Sequence, residues 1–246
     1  METAAWHRHF VQSSLRPLPS TAFDGTAIPE PLRSCLARSI ATFQLGETGE
    51  GRIAAEIRRL RGVDEDYCRA LTLFVKEEGR HARILAGLVR SLGGELLARQ
   101  ATARLFVAAR RLLGVRTKLL VLLAAEVIGI GFYSILAERA PDAVLAAALG
   151  EIADDERHHL AFHSDFFRAR ATTPLRRGAF RAAWLALSTA AAATVLGDHR
   201  RTLHALGVPV RDAACRLFAL ARHAAARVAE GDSHVRSLPD TARAVE

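Results

Sequence analysis

The sequence predicts an all-α fold: an antiparallel four-helix bundle with additional C-terminal helices. Three observations predict it. Ala, Leu and Arg dominate a chain that is 50% apolar with only 6% aromatic residues, which is a helical composition. Apolar residues recur at spacings of three and four through long stretches free of Pro, and no stretch alternates as a strand does. The chain, at 246 residues, is also long enough to bury a sizeable core.

Residues 1–29 carry Pro17, Pro19 and Pro29 and read as an irregular N-terminal arm. A helical pattern then runs from about Glu30 to Arg61, with Ile40, Phe43, Glu47, Glu50, Ala54 and Ile57 inward. Gly46, Gly49 and Gly51 each weaken it by roughly 1 kcal/mol relative to Ala. They mark either a bulge beside a ligand or a break. Asp64 is placed to cap the next helix, which closes near Gly93-Gly94; its inward face is Leu71, Phe74, Glu78, His81, Leu85 and Leu88. Residues 95–113 read as a shorter basic helix joining two halves.

Leu119, Leu122, Glu126, Ile130 and Tyr133 lie on one face of the most apolar helix, where Glu126 is the only acid between Lys118 and Glu138. Pro141 opens the following helix, with Leu145, Leu149, Ile152, Glu156, His159, His163 and Phe166 inward. Two more helical patterns, about 175–206 and 210–230, are separated by Gly207 and Pro209. The bundle thus occupies 30–170, the additional helices pack on it over 171–230, and 231–246 read as a flexible tail.

The formal net charge is +8, carried by arginine with only Lys76 and Lys118 as lysines. Such a surface suits an acidic partner, although an Arg- and Ala-rich composition produces the same charge. Cys35, Cys68 and Cys215 are isolated, which argues against a disulfide framework, a thiolate zinc site or a rubredoxin-type iron centre. The N-terminus lacks the apolar run of a secretory signal. The apolar runs 119–136, interrupted by Glu126, and 182–196, short and alanine-rich, read poorly as membrane spans. A cytoplasmic location is the expectation.

The chemistry concentrates in Asp154-Asp155-Glu156-Arg157-His158-His159-Leu160-Ala161-Phe162-His163. Glu156 and His159 share a helix face, and they interrupt an apolar stripe where unpaired charges are costly. Glu78 and His81 form a second Glu-x-x-His, also inward. Each pair follows an inward acid at nearly equal distance: Glu47 precedes Glu78 by 31 residues, and Glu126 precedes Glu156 by 30. That spacing spans two helices and a turn, so both sets meet at one height in an antiparallel bundle. Four carboxylates and two imidazoles there form a two-metal ligand set. Oxygen-rich donors with one imidazole per metal suit iron or manganese.

This pattern resembles the ferritin-like di-iron carboxylate superfamily, and Glu77-Glu78-Gly79-Arg80-His81 and Asp155-Glu156-Arg157-His158-His159 are similar to its bacterial oxygenase and acyl-carrier-protein desaturase branch. The resemblance covers about residues 35–170. It implies a ferritin-like antiparallel four-helix bundle with bridging carboxylates Glu78 and Glu156, terminal imidazoles His81 and His159, and carboxylates Glu126 and Glu47. Glu50, one turn beyond Glu47 on the same face, is the alternative. Glu77 and Asp155 match acids that hold the opposite histidine by its remaining N–H; otherwise they are solvated flanks. His163 departs from the six-ligand pattern. It is a candidate seventh ligand or proton donor, or else a core histidine bonded to a carboxylate. Tyr133 is a candidate redox-active side chain, or core with a hydrogen-bonded tip. His158 points away by helical geometry.

Two Fe are the implied cofactors, with Mn or mixed Mn/Fe as variants. The implied activity is that of a di-iron oxygenase or oxidase that activates O2 for hydroxylation, desaturation or N-oxygenation. No reductase segment accompanies it, so a separate ferredoxin-type electron donor is expected. The substrate is a small molecule or one bound to acyl carrier protein. A tRNA fits the charge, but no nucleic-acid motif favours it. A homodimer is compatible with the fold. The alternatives are a ferritin- or rubrerythrin-like metal handler, which the absent cysteine pairs disfavour, and a non-catalytic binding protein with a vestigial site.

Overall fold

The computed structural model describes residues 2–48, 53–58, 63–98 and 115–229. Among them are nine α-helices and no strand: α1 Thr3–Ser14, α2 Glu30–Glu47, α3 Ile53–Ile57, α4 Glu65–Ser91, α5 Val115–Arg139, α6 Ala143–Arg168, α7 Pro174–Asp198, α8 Arg200–Ala205 and α9 Val210–Ala229. Helices α2, α4, α5 and α6 form the four-helix bundle. The α5–α6 pair packs most extensively, α1 and α2 lie on α4, and α7 and α9 cover α5.

Local chemistry sets the helix boundaries. The Asp64 carboxylate accepts the Asp66 and Tyr67 amides at the start of α4, and Asp142 accepts those of Val144 and Leu145 at the start of α6. Each satisfies amides that the first turn leaves unpaired. Beyond α4, Gly93 takes φ 69°, a left-handed conformation that a side chain disfavours. Helix α5 is apolar on all sides because the bundle surrounds it. Its membrane-like window, Thr117–Arg139, has a mean hydropathy of 2.3 and is 89% buried, whereas the second such window, Pro174–Asp198, is 33% buried.

Four sequence expectations are corrected. The N-terminal arm is not wholly irregular, since α1 forms ahead of the prolines and buries Trp6, Phe10 and Ser13 along one face. The helix expected from Glu30 to Arg61 ends at Glu47, capped at Thr48, and a separate helix spans Ile53–Ile57; residues 49–52 and 59–62 lie outside the described residues. Residues 95–98 are not helical, and the rest of the basic linker helix lies outside the described residues. The pattern over 175–206 divides at His199, where α7 gives way to α8. The His199 ring turns inward there, with Nδ1 2.7 Å from Ser39 Oγ. The tail 231–246 also lies outside the described residues.

Two apolar clusters fill the molecule. One joins Phe10, Ile57, Phe74, Leu122 and Phe162; the larger joins Ile40, Leu85, Val127, Ile152 and Trp184. Along α4 the change from one cluster to the other falls around Glu78; on α5 the two interleave over Leu119–Ala124, just before Glu126, and on α6 the change comes between Leu160 and Phe162, beyond Glu156. The buried carboxylates form a polar layer close to where the two clusters meet.

Candidate metal centre

Helix α2 brings Glu47 to this layer; α4 brings Glu77, Glu78 and His81; α5 brings Glu126 and Tyr133; α6 brings Asp155, Glu156, His159 and His163. Candidate ligand atoms of Glu78, His81, Glu156 and His159 all lie within 4.8 Å of one another, and all four residues are buried. His159 Nδ1 is 3.1 Å from Glu78 Oε1, 3.1 Å from Glu156 Oε2 and 3.5 Å from Glu126 Oε2. His81 Nδ1 is 3.1 Å from Glu156 Oε1 and 3.8 Å from Glu78 Oε1. Both Nδ1 atoms thus face the carboxylates.

The opposite ring edges are held by acids from the facing helix. His159 Nε2 on α6 donates to Glu77 Oε2 on α4 at 2.9 Å. His81 Nε2 on α4 pairs with Asp155 Oδ2 on α6 at 3.2 Å. This exchange across the helix pair fixes each imidazole with Nδ1 inward. At the far edge, the buried Tyr133 hydroxyl donates to Glu47 Oε1 at 2.6 Å.

An outer layer went unseen in the sequence. Arg16 Nη2 donates to Glu77 Oε1 at 2.9 Å and to Asp155 Oδ1 at 2.7 Å, and the Ser13 hydroxyl also donates to Glu77. One guanidinium therefore joins the two acids that hold the two histidines. The Phe10 ring lies 5.8 Å from that of His159, and the Trp6 indole N–H donates to Asp165 at 3.0 Å. The signal available in the sequence was Trp6, Phe10 and Ser13, spaced four and three apart as a helix face requires. Glu50 lies outside the described residues. His158 is exposed, with its ring 4.5 Å from that of His9.

Charge is distributed unevenly in the metal-free cluster. Burial and the neighbouring Glu78 and Glu156 charges push Glu47 well above the usual carboxylate range. Burial and Glu156 do the same to Glu126. Burial also disfavours the charged forms of Glu156 and the two histidines, but their mutual attractions, with the hydrogen bonds of His159 to Glu156 and of His81 to Asp155, prevail. Glu156 is held well below its ordinary value, His159 well above, and His81 at about 9. Glu77 is likewise held down to about 2, as His159 and Ser13 outweigh burial. Protons thus occupy the cluster as cations would.

The residues fit a metal site. Glu78 Oε1 and His81 Nδ1 are buried without a hydrogen-bond partner and face the cluster. Buried groups of this kind are ordinarily satisfied. Carboxylate oxygens with one outward-braced imidazole from each Glu-x-x-His suit iron or manganese. Glu78, His81, Glu156 and His159 would hold the ions from α4 and α6, with Glu47 and Glu126 at either edge.

Fold and donor geometry together define a ferritin-like helical bundle with a buried carboxylate–histidine cluster. A solved structure described as a protein with aldehyde deformylating oxidase activity, from Synechococcus, superposes on the chain with a TM-score of 0.58 at 17% sequence identity, covering 94% of this chain and 95% of that one. At that identity the likeness establishes the shared fold. No family model matches the sequence, and no curated protein matches it.

Proposed function

We propose that the protein is a di-iron oxidase or oxygenase that uses O2 and external electrons to oxidise an organic substrate. The observation that carries this reading is the reciprocal bracing of His81 and His159 by Asp155 and Glu77. It presents both Nδ1 atoms to a buried group of carboxylates, an arrangement with no evident purpose in a simple core. The resemblance of the two Glu-x-x-His segments to the oxygenase branch supports the same reading, as does the activity recorded for the structural relative.

Bound as a pair, the metals would supply reductive activation of O2. The chain's own residues perform the remaining tasks. Glu77 and Asp155 fix the imidazole orientation, Phe10, Phe74 and Phe162 exclude water on the α1 side, and Tyr133 orients Glu47. For a hydroxylation the balance is substrate C–H, O2, two electrons and two protons giving C–OH and water. The electrons come from a separate ferredoxin-type donor.

The test is anaerobic loading with Fe(II) followed by metal analysis and oxygen uptake in the presence of a reductant. Two irons per chain and reductant-dependent O2 consumption are expected, and binding of far fewer than two irons refutes the proposal. Formation of a mineral core would instead assign the protein to iron storage. An aldehyde is the first substrate to assay, given the activity of the structural relative.

A further inference from the structure

His163 has no part in the arrangement described above. It is fully buried, one turn beyond His159 on the same face of α6. Neither ring nitrogen has a hydrogen-bond partner. Its surroundings are aromatic: the Phe74 ring stands edge-on at 4.8 Å and the Phe162 ring lies at 5.1 Å. A histidine retained for packing would place at least one nitrogen on a carbonyl, hydroxyl or carboxylate.

The carboxylate of Glu126 on α5 lies alongside it. His163 Nε2 lies 3.7 Å from Glu126 Oε1, while Glu126 Oε2 lies 3.5 Å from His159 Nδ1. The first distance is too long for a hydrogen bond. It does match two donors on a common ion, since ligands each about 2.1 Å from a metal sit roughly 3 to 4 Å apart. Histidines four apart on a helix are also spaced to share one ion.

Resting on the two-metal reading, we infer that His163 Nε2 is a third imidazole ligand, sharing one ion with Glu126 and His159. The two positions then differ. One takes two imidazoles, and the other takes His81 with Glu47, whose orientation Tyr133 sets. Added nitrogen donors favour the later divalent first-row metals over manganese. The pair therefore fills in sequence, and Mn(II) prefers the Glu47 position.

The test needs no turnover. Metal-free wild type, His163→Leu and His163→Phe are titrated anaerobically with Co(II), following visible absorption and bound metal, with circular dichroism as a check on folding. Wild type is expected to take two equivalents in two resolvable steps. Both variants should retain helical content and metal-free melting temperature, lose about tenfold or more in affinity at one step, and change its absorption band while the other step persists. Two unaltered steps in the variants overturn the inference. So does a loss of helical content in both variants, which would make His163 a packing residue. Fewer than two equivalents in the wild type itself would refute the two-metal reading, and the inference with it.

Discussion

Glu77→Gln tests the bracing directly. The carboxylate is 7% exposed. Its Oε2 accepts His159 Nε2–H, and its Oε1 accepts both Arg16 and Ser13. Glutamine has nearly the same shape but only one acceptor oxygen. Whichever way the amide turns, its NH2 faces a donor, either the imidazole or the Arg16–Ser13 pair. Glu77 is held at about 2 against an ordinary 4.5, a difference equivalent to about 3 kcal/mol. That stability is fully present above pH 4.5 and is lost only as pH falls through about 2, so it is complete at neutral pH. Urea denaturation of the metal-free variant at pH 7 should register a loss of roughly 2–3 kcal/mol. Co(II) titration should show a site weaker by about 10- to 100-fold, as is typical when an acid that orients a ligand is lost. Asp154→Asn is the control, since Asp154 is an exposed acid paired with Arg157 on the flank of α6. If Glu77→Gln is indistinguishable from it in both measurements, the bracing argument is wrong.

Three further outcomes are expected. His81 is held at about 9 in place of 6.5, so its contribution is complete below pH 6.5 and lost as pH rises through 9. The metal-free protein should therefore melt at progressively lower temperature across that interval, and bound metal should flatten the dependence by displacing the protons. Glu47→Gln should weaken one metal position by at least about tenfold while Glu50→Gln leaves both intact, as read by metal stoichiometry. A Cβ at Gly129 would lie 3.4 Å from Glu156 Cγ and Tyr133 Cε2. Gly129→Ala should therefore cost less than about 1.5 kcal/mol, whereas Gly129→Leu should abolish paired metal binding while leaving the far-UV spectrum helical.

The four-helix core was legible because its code is local and doubled. An acid inside an apolar stripe is anomalous on one helix, and Glu-x-x-His following an inward acid at the same interval on two helix pairs leaves few alternatives. Reading Glu77 and Asp155 was harder. Each sits beside an inward acid, where a solvated flank and a partner for the facing helix look alike until the helices are placed. Gly131 shows the same limit. On the sequence a pocket and close helix packing are equally open readings of it, yet a Cβ there would strike Leu217 of α9, so it serves close helix packing. Helix α1 escaped because Pro17 and Pro19 dominate the reading of the segment, and its apolar face is short. The division at His199 depends on Ser39, 160 residues away, and no local pattern encodes it.

Arg16 connects that overlooked helix to the metal centre. The hydrogen-bonded series His159–Glu77–Arg16–Asp155–His81 links the two inward imidazoles through one guanidinium at the end of α1. Any ion that requires both Nδ1 atoms in place favours the state in which Glu77 and Asp155 are held, and hence the docked α1. By linkage, docking of α1 must favour the ions to the same degree. The Arg16 side chain is 38% exposed, so water screens its ion pairs and their direct contribution to stability is only about 1 kcal/mol. Arg16→Leu should therefore destabilise the metal-free protein slightly. It should also weaken both metal positions together, because it loosens both histidines, in contrast to the one-sided effect of Glu47→Gln. Amide exchange across residues 3–14 should accelerate in the variant and slow again on metal binding. Loss confined to a single position, or exchange in α1 indifferent to metal, would separate the helix from the site and reduce α1 to a cover.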